Sequence, residues 1–243
     1  MLKNLIAQGK PKYRKRDCGI KIRLVPYGSG WIDVHMDIGF DSHYFVLSYQ
    51  EGDPFYALLR ALYYLHPNHN DPQRWDEGVD IWRGICERDG DEYKVVRIVP
   101  EVPLEDLPCV VRQIPWKTEF IWNAEREAIC KWTLERIPTE DPDFMLKITI
   151  DNQQSEPKCH TYEVRYKDLC YAVAKTCTEV LKSHGIYGYH YSVYEEDMHL
   201  RYLLFVKAVA LDNLESRELT KNERRNGYST SLEKELELLL FDM

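Results

Sequence analysis

Asp53-Pro54-Phe55-Tyr56-Ala57-Leu58-Leu59-Arg60-Ala61-Leu62 and, 115 residues later, Asp168-Leu169-Cys170-Tyr171-Ala172-Val173-Ala174-Lys175-Thr176-Cys177 carry the same polarity almost position for position. In each, an aspartate stands where an N-cap would satisfy the first orphan amides of a helix, and Pro54 occupies a position where a missing N–H costs little. Phe55, Leu58, Leu59 and Leu62 form an apolar stripe at helical spacing, which His66-Pro67-Asn68 stops. In the second stretch Leu169, Val173, Cys177, Val180 and Leu181 form the stripe, and Gly185 is placed to end it.

Working outward, each helix is preceded by three segments of strand character. Ile20, Ile22 and Leu24 alternate with Lys21 and Arg23, and Pro26-Tyr27-Gly28-Ser29-Gly30 supplies a turn. Trp31 to Ile38 and His43 to Tyr49 follow, joined by Gly39-Phe40-Asp41-Ser42, and connections this short demand an antiparallel meander. Around the second helix, Cys130 stands 112 residues after Cys18, and Trp132, Leu134 and Pro138 keep the parity of Ile20, Ile22 and Pro26. Phe144 to Ile150 and Cys159 to Tyr166 supply two more strands. Ala124 to Trp132 also admits a helix, through Glu125-Arg126-Glu127, but alternation and the repeat favour a strand.

A hairpin closes each unit in this reading: Val79 to Cys86 with Tyr93 to Val99 around Arg88-Asp89-Gly90-Asp91, and Tyr187 to Tyr194 with Leu200 to Leu211 around Glu195-Glu196-Asp197. The expected fold is α+β, with internally duplicated β-β-β-α-β-β units, mainly antiparallel sheets each with a packed helix, and a C-terminal helix. The boundaries are a basic arm over 1–17, repeats over 18–99 and 130–211, a linker with accessory strands over 100–129, and a helical segment over 212–243. In that last segment Thr230 and Glu233 form a capping box before Leu232, Leu236, Leu239 and Leu240, whose apolar face needs a partner in the chain or on a second subunit.

Composition narrows the function classes. Forty acidic against 32 basic residues give a net charge of −8, which disfavours a general nucleic-acid coat. Residues 1–30 hold eight Lys/Arg and one Asp, so about −15 falls on the rest. Seven cysteines without a C-x-x-C pair, together with the lack of an apolar leader run, read as reduced thiols in a cytoplasmic protein. No phosphate loop, dinucleotide fingerprint, serine elbow or zinc ribbon occurs.

The titratable candidates each have a structural explanation. His66 and His69, with Asp71 nearby, could hold a divalent ion, but a helix terminus also attracts histidine through its dipole. Cys159 and His160 are neighbours on a strand and point to opposite faces, so they are no dyad. Cys170 and Cys177 read as small buried hydrophobes. Asp89, Asp91 and Glu92 read as a solvated hairpin tip. No metal, cofactor or catalytic residue is assigned on this basis.

The leading expectation is a non-enzymatic protein-binding module, of the inhibitor or immunity type, that recognises a basic partner. Its surface would combine Trp75, Asp76, Glu77, Asp80 and Trp82 with a tyrosine patch of Tyr187, Tyr189 and Tyr191. Residues 71–108 carry eleven acidic and five basic side chains, which would speed encounter with such a partner. A homodimer through the C-terminal helix is expected as an option, and nucleic acid and membrane partners are not. The alternative is an enzyme with its active site in the cleft between the repeats, signalled by convergent His, Asp and Tyr groups with shifted pKa values.

Overall fold

In the computed structural model, strands β1 (Ile20–Gly28), β2 (Trp31–Ile38) and β3 (Asp41–Ser48) form the expected antiparallel meander. The structure describes residues 19–28, 30–48, 53–67, 81–89, 92–99, 111–123, 129–137, 143–153, 158–192, 198–214, 220–222 and 227–243. Within β2, Ile32, Val34, Met36 and Ile38 are buried while their neighbours face outward, as period-two alternation requires. The β2–β3 connection is tighter than expected. Ile38 pairs with Asp41 across Gly39-Phe40, and Gly39 has φ +63. Glycine at the first position of a two-residue loop suits the twist of the strands it joins, so Asp41 belongs to the strand.

Helix α1 (Pro54–Leu65) follows, with Asp53 as N-cap accepting from the Phe55 amide at 2.8 Å. Strands β4 (Ile81–Asp89) and β5 (Glu92–Val99) form the expected hairpin. They do not extend the first sheet: β4 pairs on its other side with β6 (Val111–Pro115), giving a separate sheet ordered β5-β4-β6. The second meander comprises β8 (Ile129–Arg136), β9 (Met145–Asn152) and β10 (Lys158–Arg165), widened by β7 (Lys117–Asn123) into a four-stranded sheet ordered β10-β9-β8-β7. Residues 129–136 are therefore strand, with Cys130, Trp132, Leu134 and Arg136 buried.

The two units share the order β-β-β-α and then diverge. Helix α2 spans Tyr166–Ser192, so Asp168 lies in its first turn and is not its N-cap. Gly185 interrupts it with φ +72 and ψ 169, a region open essentially to glycine alone. The expected second hairpin is absent from the described residues. Tyr187 to Ser192 continue helically beyond the kink, and 200–210 form helix α3 (Leu200–Ala210). Residues Tyr202 to Ala210 are all buried. A run apolar on every side gives no periodicity to separate helix from strand, and eleven residues is long for a strand but ordinary for a buried helix.

Helix α4 (Leu232–Leu240) is capped by Ser231, which accepts from the Lys234 amide at 3.3 Å, while Thr230 donates to Glu235 at 2.6 Å. The cap therefore falls one residue later than the expected Thr230 box. Leu238 is its buried anchor, whereas Leu232, Leu236 and Leu240 are exposed. A short ladder of β11 (Thr220–Asn222) and β12 (Gly227–Ser229) precedes it.

The helices cross between the sheets. Helix α1 packs on β7 of the second sheet, and α2 packs along β1 of the first. The Leu24 amide, on the free edge of β1, donates to Thr176 Oγ1 of α2 at 3.0 Å. Trp122 Nε1–H of β7 donates to the Pro54 carbonyl at 3.3 Å, and the Tyr166 hydroxyl donates to the Leu62 carbonyl at 2.7 Å. Beyond the Gly185 kink, Tyr189 is buried and donates to Asp53 at 3.3 Å. Each sheet thus lends an edge to the other unit's helix, and one continuous core results.

Buried titratable groups set an alkaline limit. Cys130, Cys170 and Cys177 are free and fully buried, and burial raises all three thiols, Cys130 to about 12. Lys207 is also buried, donating to Thr178 Oγ1 and to the carbonyls of Leu239 and Phe241. Burial, followed by the charge of Lys182, lowers it to about 8. Above pH 9 the unfolded chain loses thiol protons that the native state keeps, so stability falls by about 1.4 kcal/mol per pH unit for each thiol. Between pH 8 and 10.5 the unfolded chain holds a Lys207 proton that the native state sheds, so this lysine contributes with the opposite sign. Arg136, brought down to about 9 by burial, acts with the lysine above that pH, and three thiols outweigh the two cations. Urea midpoints under reducing conditions are expected to decline steadily from pH 9 to 10.5, and a flat profile would contradict this assignment.

Candidate metal centre

Strands β3 and β10 are the third strands of their respective meanders, and their inward faces meet. On β3, Asp41, His43, Phe45 and Leu47 share one face, with Phe45 and Leu47 buried. On β10, His160, Tyr162 and Val164 share one face, and Val164 is buried. Where the apolar contact ends, polar side chains take over.

Candidate ligand atoms of Asp41, His43 and His160 all lie within 4.8 Å of one another, with both histidines half-buried and the aspartate exposed. The imidazoles of His43 and His160 meet edge to face at 4.7 Å between centroids. The Tyr162 hydroxyl donates to Asp41 Oδ2 at 2.9 Å and stands 2.6 Å from His43 Nε2. Because the phenol proton goes to Asp41, its oxygen accepts from His43 Nε2–H.

Electrostatics follow from that geometry. His43 is held below its ordinary value, chiefly by burial and then by His160, with Asp41 opposing. Tyr162 is pushed well up by burial and by its bond to Asp41, which favours the protonated donor. A neutral imidazole and a neutral phenol are therefore the resting forms at neutral pH.

A cleft of about 370 Å³ opens beside the cluster, between the outer end of the β1–β2 pair and β10. Ile20, Ile38 and Val164 contribute apolar wall, and Tyr162, Arg165 and Asp168 line it with polar groups. Tyr162 belongs to both the cluster and the cleft.

Two imidazoles and one carboxylate converging from different strands form a donor set that suits a divalent first-row ion. Bond lengths of about 2.0–2.2 Å place adjacent donors of such an ion roughly 3 Å apart.

The residues expected to carry function from the sequence are dispersed. Trp75, Asp76, Glu77 and Asp80 lie outside the described residues, as do the basic arm, His69 and Asp71. Trp82 lies in the backbone of β4, and Tyr191 in that of α2. Tyr187 is 75 % exposed and Tyr189 fully buried, so those two do not share a surface. His66 is buried against Tyr166 and Phe205 at the end of α1. Cys159 is exposed and His160 turns inward, as opposite strand faces require. Sequence reasoning weighs His160 only as a partner of Cys159 and does not single out Asp41, His43 or Tyr162. Their signal was the i, i+2 pairing of polar residues, Asp41 with His43 and His160 with Tyr162, on the parity that elsewhere carries Phe45, Leu47 and Val164.

Comparison with protein-family models, with curated proteins and with solved structures finds no match to this chain. Among the described residues, no helix is long and apolar enough to cross a membrane.

Proposed function

We propose that this protein is a metal-dependent enzyme whose centre lies between the two sheet units, with Asp41, His43 and His160 as ligands of a first-row transition-metal ion. The observation that carries this reading is the convergence of those three side chains from β3 and β10, with Tyr162 bonded to two of them. An incompletely ligated ion of this kind polarises substrate oxygen or lowers the pKa of bound water toward 7, which is Lewis-acid, water-activating chemistry. The adjoining cleft supplies apolar surface for the body of a small substrate, and Arg165 and Asp168 supply polar groups to orient it.

The reading is tested by calorimetric titration of chelator-treated protein with zinc, manganese and ferrous ions. One saturable site is expected, with affinity reduced more than about 100-fold in His43→Ala and in His160→Ala, since even outer partners of metal ligands are worth about 10–100-fold. Absence of saturable binding, or binding indifferent to both substitutions, would refute it. The exposed Leu232, Leu236 and Leu240 on α4 favour a separate reading alongside this one, self-association through the C-terminal helix.

A further inference from the structure

Tyr162 has a position that a passive neighbour of the centre would not need. Its hydroxyl oxygen stands 2.6 Å from His43 Nε2 and 2.9 Å from Asp41 Oδ2, close to the spacing of adjacent donor atoms around one ion. It reaches that place from the same strand face as His160, two residues away. We infer that Tyr162 is a fourth protein ligand of this centre, coordinating as tyrosinate and completing a set of two nitrogens and two oxygens. The inference rests on the metal site proposed above and specifies which ion that site takes.

Without metal, protons occupy the place of the cation. The Tyr162 hydroxyl proton bridges to Asp41, and the His43 Nε2 proton bridges to the Tyr162 oxygen. For the ion to enter, both must leave those positions. His43 is neutral at pH 7, so its proton moves from Nε2 to Nδ1 by tautomer exchange through water, and none is lost overall. The phenol proton has no such alternative. It passes to solvent as the metal–oxygen bond forms. Binding therefore releases one proton in exchange for one bond, with no change of oxidation state. The burial and carboxylate that hold the phenol protonated are overridden by the positive charge of the ion, as a coordinating thiol is deprotonated outright by zinc.

Ligand chemistry then limits the ion. Among the described residues no thiol joins the cluster: Cys159 is exposed on the opposite face of β10, and Cys130, Cys170 and Cys177 are buried in the core. Two imidazoles suit iron, copper, nickel and zinc, whereas carboxylate and phenolate oxygens favour harder ions. A tyrosinate in that set selects iron, ferric above ferrous, with cupric copper as the second fit. Four protein ligands would still leave one or two positions open on a five- or six-coordinate ion.

The experiment compares the full chain with Tyr162→Phe, a substitution that keeps the ring and removes only the oxygen. Zinc is titrated calorimetrically at pH 7 into both proteins, in several buffers of different ionisation enthalpy. About one more proton is expected to be released by the unsubstituted protein than by Tyr162→Phe. Ferric iron, added as a citrate complex, is expected to produce a visible phenolate-to-metal absorption band in the unsubstituted protein and none in Tyr162→Phe. If zinc binds both proteins with equal proton release and ferric iron gives no band, Tyr162 is no ligand and the three-residue site stands without it. If neither protein binds any ion, the metal centre itself falls, and this inference with it.

Discussion

Trp122→Ala is expected to destabilise the protein by about 3–5 kcal/mol, the range for truncating a large buried aromatic. Trp122 is 1 % exposed and joins three parts of the structure. It packs on Trp132 within its own sheet at 4.6 Å between centroids, meets Phe45 of the first sheet edge to face at 6.4 Å, and donates to Pro54 at the start of α1. Truncation leaves a cavity where the first sheet, the second sheet and the crossed helix meet, and the surrounding strands cannot collapse into it without breaking ladders. The hydrogen bond is the smaller part: Trp122→Phe, which keeps an aromatic but loses the donor, is expected to cost about 1–2 kcal/mol. A double-mutant cycle with Phe45→Ala should give a coupling of about 0.5–1.5 kcal/mol, the range for aromatic pairs. Urea unfolding followed by circular dichroism measures all three. A loss below 1 kcal/mol for Trp122→Ala would mean that the crossing of α1 onto β7 contributes little to stability.

That crossing could not be read from the chain, whereas the elements it joins could. Alternation at Ile20, Ile22 and Leu24, and at Cys130, Trp132 and Leu134, is a local property of strands with one buried face, so both meanders were legible. The Asp53-Pro54 start of α1 was legible for the same reason, since a cap and its first turn are contiguous. Which sheet a helix covers is a different kind of property. It depends on contacts such as Leu24 with Thr176, 152 residues apart, that leave no periodic trace.

The repeat itself misled at its end. Closing the second unit with a hairpin like the first imposes a strand on 200–211, although apolar residues at successive positions from Leu203 to Val206 fit a fully enclosed helix equally well. The tyrosines at 187, 189 and 191 alternate like a strand, yet the Gly185 kink carries them into a helical turn and Tyr189 reaches the Asp53 cap. Tertiary anchoring outweighed the local pattern. The candidate centre was half legible. Each i, i+2 polar pair marks one strand face, but nothing local indicates that the faces of β3 and β10 meet. A histidine on an inward parity, followed on the same face by Phe45 and Leu47, is the kind of local conflict that signals a functional site.

Arg136→Met is expected to raise stability by about 1–3 kcal/mol, or about 2–4 °C in Tm per kcal/mol for a chain of this size. Arg136 is 2 % exposed, and among the described residues Nε, Nη1 and Nη2 have no hydrogen-bond partner. Its guanidinium lies 3.7 Å over the Phe144 ring, a contact worth about 2 kcal/mol when desolvated. Opposing it is the penalty for removing an ion from water without compensating bonds, several kcal/mol after relaxation. Burial is strong enough to bring even this guanidinium down to about 9. The penalty exceeds the ring contact, so a flexible apolar side chain of similar length should be preferred, and Met also packs favourably against an aromatic. Arg136→Lys serves as control. It keeps the charge, loses the planar stacking, and is expected to be less stable than either. Thermal unfolding of the three proteins at pH 7 decides the question: a methionine variant less stable than the parent by more than 1 kcal/mol would show that the native guanidinium is paired with an anionic group, and that this pairing outweighs the gain from apolar replacement.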